Sequence, residues 1–191
     1  KGDALRSGNA LEVSLQTPVG LIAAVPLTDG IFTSPVISGD KVFVIDGSGV
    51  VFAIDTATLK VVWKFATHGG LGNCNNVASP AVAGNYLHVA TMAGYYYVLD
   101  CENGALVREI DCREPIFSAP AGGPDRIYFA TLGARTYAVE HDGQLAWTWD
   151  FVKEVVGFEG NRWKGEDWLA FRGDRVTWRD HFVCSRDICL I

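Results

Sequence analysis

The residues best equipped for chemistry crowd into one stretch. Between Val152 and Asp180 stand Glu154, Phe158, Glu159, Arg162, Trp163, Glu166, Asp167, Trp168, Arg172 and Trp178. Aromatic rings beside arginines and carboxylates suit contact with a protein or a sugar. Phe158, Arg162, Trp163, Trp168 and Trp178 are therefore the candidate binding surface. Glu159 with Glu166 or Asp167 offers the paired carboxylates that acid–base catalysis uses, but no local pattern fixes their separation. The plainer alternative is that the tryptophans cap the structure beneath them.

The five cysteines are Cys74, Cys101, Cys112, Cys184 and Cys189, an odd count that leaves at least one thiol free. Cys184 and Cys189 flank the turn 185–188 symmetrically. That spacing makes them a candidate thiol pair, facing each other across two strands. The alternative is two small core residues. Cys101 and Cys112 share one hairpin out of register, with Cys112 opposite a residue near 95, so no bridge joins them. Cys-x-x-Cys is absent, which argues against a zinc ribbon or an attached haem. His68, His88, His141 and His181 show no two-histidine ligand spacing, and His88 stands where a strand aromatic belongs. Gly-x-Ser-x-Gly is absent. Gly69-Gly-Leu-Gly72 lacks a third glycine and leads into a strand rather than a helix, so it reads as a linker.

Composition narrows the classes further. The 191 residues make one domain or one piece of a larger body. Sixteen basic against 22 acidic residues give a net charge of −6, and no Lys/Arg cluster forms the stripe that a nucleic-acid binder needs. No apolar run approaches the ~18 residues of a membrane-spanning helix, so the chain is not expected to span a membrane. The chain opens on Lys1 and its one methionine is Met92, so a processed or engineered N-terminus is expected. Any signal peptide is expected to have been removed already, so its absence from the sequence is not evidence for a cytoplasmic protein.

The elements that must position these residues come from a repeat. Ser34 to Asp55, Ser79 to Asp100 and Ala119 to Glu140 align, each with an Asp or Asn five residues after its proline: Pro35/Asp40, Pro80/Asn85 and Pro120/Asp125. Phe182 to Ile191 reads as a fourth, incomplete copy, and Val19 to Leu27 matches the tail of a repeat. Within a copy, short runs rich in Val, Ile, Phe and Tyr alternate with turn residues, predicting strands near 32–38, 41–46, 50–55 and 60–66 in the first. No window shows a helical period. Runs such as Val50-Val-Phe-Ala-Ile54 and Tyr95-Tyr-Tyr-Val-Leu99 are apolar on both faces, so both faces must be covered. Radially stacked four-stranded sheets do this, and a period of ~40–45 residues fits one propeller blade.

These residues resemble the pyrroloquinoline-quinone-type (PQQ-like) β-propeller repeat. That repeat has a Ser-Pro start, a Gly-Asp turn and a glycine-bearing hairpin, followed by Ala-x-Asp-x-x-Thr-Gly-x-x-x-Trp. The match runs through Ala53-Ile-Asp55, Thr58 and Trp63, with Leu59 where glycine is usual. It continues through Asp100 and Asn103-Gly104, with Arg108 in place of the tryptophan. It returns at Ala138-Val-Glu140, Asp142-Gly143 and Trp147. The resemblance implies that Trp63 and Trp147 pack between blades and that Asp55 and Asp100 brace turns. It predicts an all-β fold of about 3.5–4 antiparallel four-stranded blades. The expected divisions are a blade tail at 15–31, blades at 32–67, 77–112 and 116–151, an insert at 152–180 and an incomplete blade at 181–191. Family propellers commonly have seven or eight blades. The chain is therefore part of a larger ring, or closes a four-bladed ring through its strand near 19–27, or pairs edge to edge with a second copy.

Function follows the resemblance. Family quinoproteins hold their cofactor between a tryptophan and a vicinal disulfide, with Ca²⁺ on carboxylate and amide oxygens. No adjacent cysteines occur here, and the amide-rich Asn73-Cys74-Asn75-Asn76 has no acid beside it. No cofactor and no metal are therefore expected. The chain is similar to extracytoplasmic members, among them the propeller lipoprotein of outer-membrane β-barrel assembly. The expectation is a non-catalytic scaffold, periplasmic or secreted, that holds a protein or a glycan through its face loops. The alternative is a piece of a quinoprotein dehydrogenase.

Overall fold

The computed structural model describes residue 14, residues 17–68 and residues 76–172. Twelve strands in this part form three antiparallel sheets of four, each built from consecutive strands. Blade one comprises β1 (Val36–Ser38), β2 (Lys41–Ile45), β3 (Val50–Asp55) and β4 (Val61–Ala66). Blade two comprises β5 (Ala81–Ala83), β6 (Tyr86–Ala90), β7 (Tyr95–Asp100) and β8 (Leu106–Asp111). Blade three comprises β9 (Ala121–Gly122), β10 (Ile127–Ala130), β11 (Arg135–Val139) and β12 (Leu145–Asp150). The architecture is that of a partial β-propeller.

Two-sided greasiness is what stacks the blades. Phe43, Ile45, Val51 and Ala53 of blade one bury against Leu87, Val89, Tyr97 and Leu99 of blade two. The alternate residues of blade two, Ala90, Tyr96 and Val98, bury against Ile127, Phe129, Tyr137 and Val139 of blade three. The period of two along a strand sends neighbours to opposite faces. Tyr96 and Tyr97 thus join different cores, and each is fully buried. Tyr96 stacks on Phe129 at 3.8 Å, and Phe129 stacks on Tyr137 at 4.9 Å. On the far side of blade one, Val44, Phe52 and Ile54 are covered by Val25 and Leu27.

The signature residues hold corners and junctions. Asp55 Oδ1 accepts from the backbone N–H groups of Ala57 and Thr58 and from the Thr58 hydroxyl. Asp100 does the same for the N–H groups of Glu102 and Asn103. Trp63 lies on Gly104 of the next blade and donates its indole N–H to the Cys101 carbonyl at 3.1 Å. A Cβ on Gly104 would meet the Trp63 ring at 2.6 Å, and φ is +71° there, so the position needs glycine twice over. Leu59 holds the corresponding turn of blade one at φ +59°, a left-handed conformation that a side chain resists. Trp147 occupies the equivalent place in blade three, on the face turned away from blade two, and is 40% exposed.

The structure departs from the sequence reading in three places. The first strand of blade one begins at Val36 rather than near 32, because Ser34 and Pro35 serve the junction: the Ser34 N–H donates to Ser79 Oγ of blade two. Residues 19–27 form no strand, and Val25 and Leu27 pack on blade one instead of completing another blade. The insert contains two helices, α1 (Phe151–Glu154) and α2 (Gly165–Arg172), where no helical period was visible. Asp150 caps α1 by accepting from the Lys153 N–H. The incomplete blade at 181–191 lies outside the described residues.

Candidate functional site

The site is assembled where the insert meets blade three. Glu114 leaves the end of blade two and tucks under the β10–β11 turn, buried, with Thr131 Oγ1 donating to its Oε2 at 2.6 Å. Gly133 in that turn leaves room for the carboxylate, since a Cβ there would overlap it. Arg135 Nη1 lies 3.3 Å from Glu114 Oε1, and Arg135 Nε donates to Asp150 Oδ2 at 3.1 Å. Arg162, from the insert, pairs with the same two carboxylates: its Nε is 3.8 Å from Glu114 Oε1, and its Nη2 donates to Asp150 Oδ2. Its Nη1 donates to the Gly133 carbonyl. Two guanidiniums and two carboxylates thus close a ring that locks the insert to the blade.

Burial pushes the Asp150 carboxyl up. Arg162, the Lys153 N–H and Arg135 together outweigh that, and the group ends below the ordinary carboxylate range. Burial opposes the charge on Arg135, but Asp150 and Glu114 outweigh it and raise its pKa. Each charge is held because its partners replace the water it has lost.

Beside the ring is an apolar plug. Phe158 stacks on Trp168 at 3.8 Å and 2°, and both are buried with Val152 and Ala134. The Trp168 indole donates to the Arg162 carbonyl at 2.9 Å. Phe171 packs edge-on against both rings but stays partly exposed. Of the expected surface residues, Phe158, Arg162 and Trp168 therefore face inward and build the insert, whereas Trp163 is 55% exposed. Trp178, and the candidate pair Cys184 and Cys189, lie outside the described residues. Asp167 braces the turn by accepting from the Asn161 N–H, and Glu159 lies on the surface 3.9 Å from Lys153.

Between ring and plug opens a pocket of about 500 Å³, lined by Arg135, Lys153, Glu159, Asn161, Arg162 and Trp163 among others. Glu114 and the Arg135–Asp150 pairing were missed in the sequence. Glu114 sits in an inter-blade link without a motif, and its role depends on Arg162, 48 positions on. A second cleft, of about 640 Å³, runs along the innermost strands past Ser34, Pro35, Ser79, Pro80 and Pro120 to His141. Its walls are chiefly small or apolar. Cys101 and Cys112 are free thiols, and burial pushes them up to about 11 and about 12, so they stay protonated.

A quinone cofactor with calcium would need a carboxylate set and, in the quinoprotein pattern, adjacent cysteines. Among the described residues no group of three His, Cys, Asp or Glu side chains converges for a metal. The sequence has no adjacent cysteines. The described residues do not assemble the set that group would need.

Comparison with known proteins agrees with the fold. A family model described as outer membrane protein assembly factor BamB matches residues 71–161. Quinohemoprotein alcohol dehydrogenase from Comamonas testosteroni superposes with a TM-score of 0.55 at 23% identity, over 64% of this chain and 21% of that one. BamB from Moraxella catarrhalis gives 0.54 at 21% identity, over 64% and 37%. The Cps50 (Swd1) β-propeller domain of Myceliophteria thermophila gives 0.51 at 19% identity, over 64% and 40%. No curated protein matches the chain in sequence. The chain spans between a fifth and two fifths of these solved structures, and so corresponds to part of a larger propeller. Its blades resemble PQQ-like propeller repeats.

Proposed function

We propose that the chain is a non-catalytic propeller scaffold that holds a protein partner through the insert on blade three, outside the cytoplasm. One observation carries this reading. The insert is locked by an ion ring and a buried aromatic stack, yet it keeps Trp163 and Phe171 exposed. Large apolar side chains held rigidly in solvent are what binding surfaces use as anchors. The family description as an outer-membrane assembly factor supports both the partner class and the compartment. Among the described residues no helix is long and apolar enough to cross a membrane, which says nothing about strands.

The test is photo-crosslinking. A benzophenone side chain replacing Trp163 is expected to give a discrete adduct in extracts of the source cell. The same group replacing Lys64, on the outer strand β4, is expected to give none. Dye reduction by the purified protein that depends on added pyrroloquinoline quinone and Ca²⁺ would overturn the scaffold reading in favour of a quinoprotein fragment.

A further inference from the structure

The pocket at the insert is unequal in what it offers a ligand. Glu114 and Asp150, at its floor, have their oxygens engaged by Arg135, Arg162, Thr131 and the Lys153 N–H. Arg162 uses all three guanidinium nitrogens on the ring and on Gly133. The donors are not used up. Among the described residues, Arg135 Nη2, Asn161 Nδ2 and Trp163 Nε1 have no protein partner. Lys153 Nζ has only a 3.9 Å contact with Glu159. The one carboxylate with oxygens to spare is Glu159, which stands at the rim, 78% exposed, where water screens it. Formal charge in the lining cancels, but side-chain hydrogen-bonding capacity does not: spare donors line the pocket, and the spare carboxylate stands at the rim.

Such a pocket favours a ligand rich in acceptors. A carboxylate is the compact group that takes two charged donors at once, and the free Arg135 Nη2 and the Lys153 ammonium are such donors. The exposed Trp163 indole on the wall can cover an apolar neighbour. Resting on the partner-binding reading above, we propose that this pocket receives a carboxylate carried by the partner polypeptide. A terminal α-carboxylate and an Asp or Glu side group share that chemistry. Lys153 and Arg135 bind it, Asn161 orients it, and Trp163 packs the residue beside it.

The probes are four short labelled peptides with one apolar core sequence. One has a free C-terminus and one is its C-terminal amide. Two have both ends blocked and carry an internal Asp or an internal Asn. Anisotropy should show at least one acid binding about tenfold or more tighter than its neutral counterpart, with the difference shrinking at high salt. The acid that wins identifies the source. Lys153→Gln, at an exposed side chain, should remove most of the preference. Arg135→Lys keeps the charge near Glu114 but loses the planar fork, and should weaken it. Equal binding of acid and neutral peptides overturns the carboxylate assignment and leaves the partner surface standing. Absence of any peptide binding overturns the assignment too, and absence of an adduct from position 163 then removes the surface with it.

Discussion

His88 should make the propeller acid-labile by a calculable amount. The ring is fully buried between blades two and three, with Nδ1 2.9 Å from Tyr96 Oη and Nε2 without a hydrogen-bond partner among the described residues. Burial lowers its pKa to about 4; the charge of His141 adds to the lowering, and the His141 carbonyl opposes it. In the unfolded chain the same ring titrates near 6.5. Between those values the unfolded chain binds a proton that the folded chain refuses. The contribution is therefore fully present above about pH 6.5 and lost as pH falls through about pH 4. Across a gap of about 2.5 pH units, at about 1.4 kcal/mol each, acidification to pH 4 removes about 3 kcal/mol. Asp46, Asp55 and Asp150 also have lowered pKa values and lose stability in acid, so the measurement must be a difference. Urea unfolding of the native protein and of His88→Gln at about pH 7 and about pH 4 isolates the histidine. The stability lost on acidification should be smaller in the variant by about 3 kcal/mol. Equal losses, or an NMR titration placing His88 near its ordinary value, would refute the reasoning.

Five other substitutions probe the architecture. Gly104→Ala should cost about 2 kcal/mol or more in chemical denaturation, because the added methyl meets Trp63 and the backbone is left-handed there. Leu59→Gly should do the reverse at the corresponding turn of blade one and raise stability by about 0.5–1 kcal/mol. Trp168→Ala removes the ring stacked on Phe158 and should loosen the insert by about 3–5 kcal/mol, read by amide exchange over 151–172. Trp163→Ala should leave that exchange pattern unchanged. Glu114→Gln leaves two arginines short of a buried carboxylate and should cost about 3 kcal/mol, seen as a lowered urea midpoint.

The blades were legible because their signals are local and repeated. A two-sided apolar run such as Tyr95–Leu99 states by itself that both faces are covered. Asp55, Trp63 and Gly104 mark the same corner in register. The site was legible only as a place. Arg162, Phe158 and Trp168 have the composition of a surface, and nothing in their spacing tells that they turn inward. The ionic partners of Arg162, Asp150 and Glu114, lie 12 and 48 positions away. Trp163 shares that composition and differs only in packing. The helix α2 was illegible because its apolar residues make no regular stripe, and contact with Phe158 organises Trp168 and Phe171 instead.

Everything rests on consecutive blades lying face to face. The most direct check is a proton–proton NOE between the Trp63 indole ring and the Gly104 α-protons, with a second between the rings of Tyr96 and Phe129. Face-to-face stacking predicts both, strong and simultaneous. Their absence from a folded, fully assigned protein would contradict it, because neither a sandwich nor separate hairpins would bring both pairs into contact.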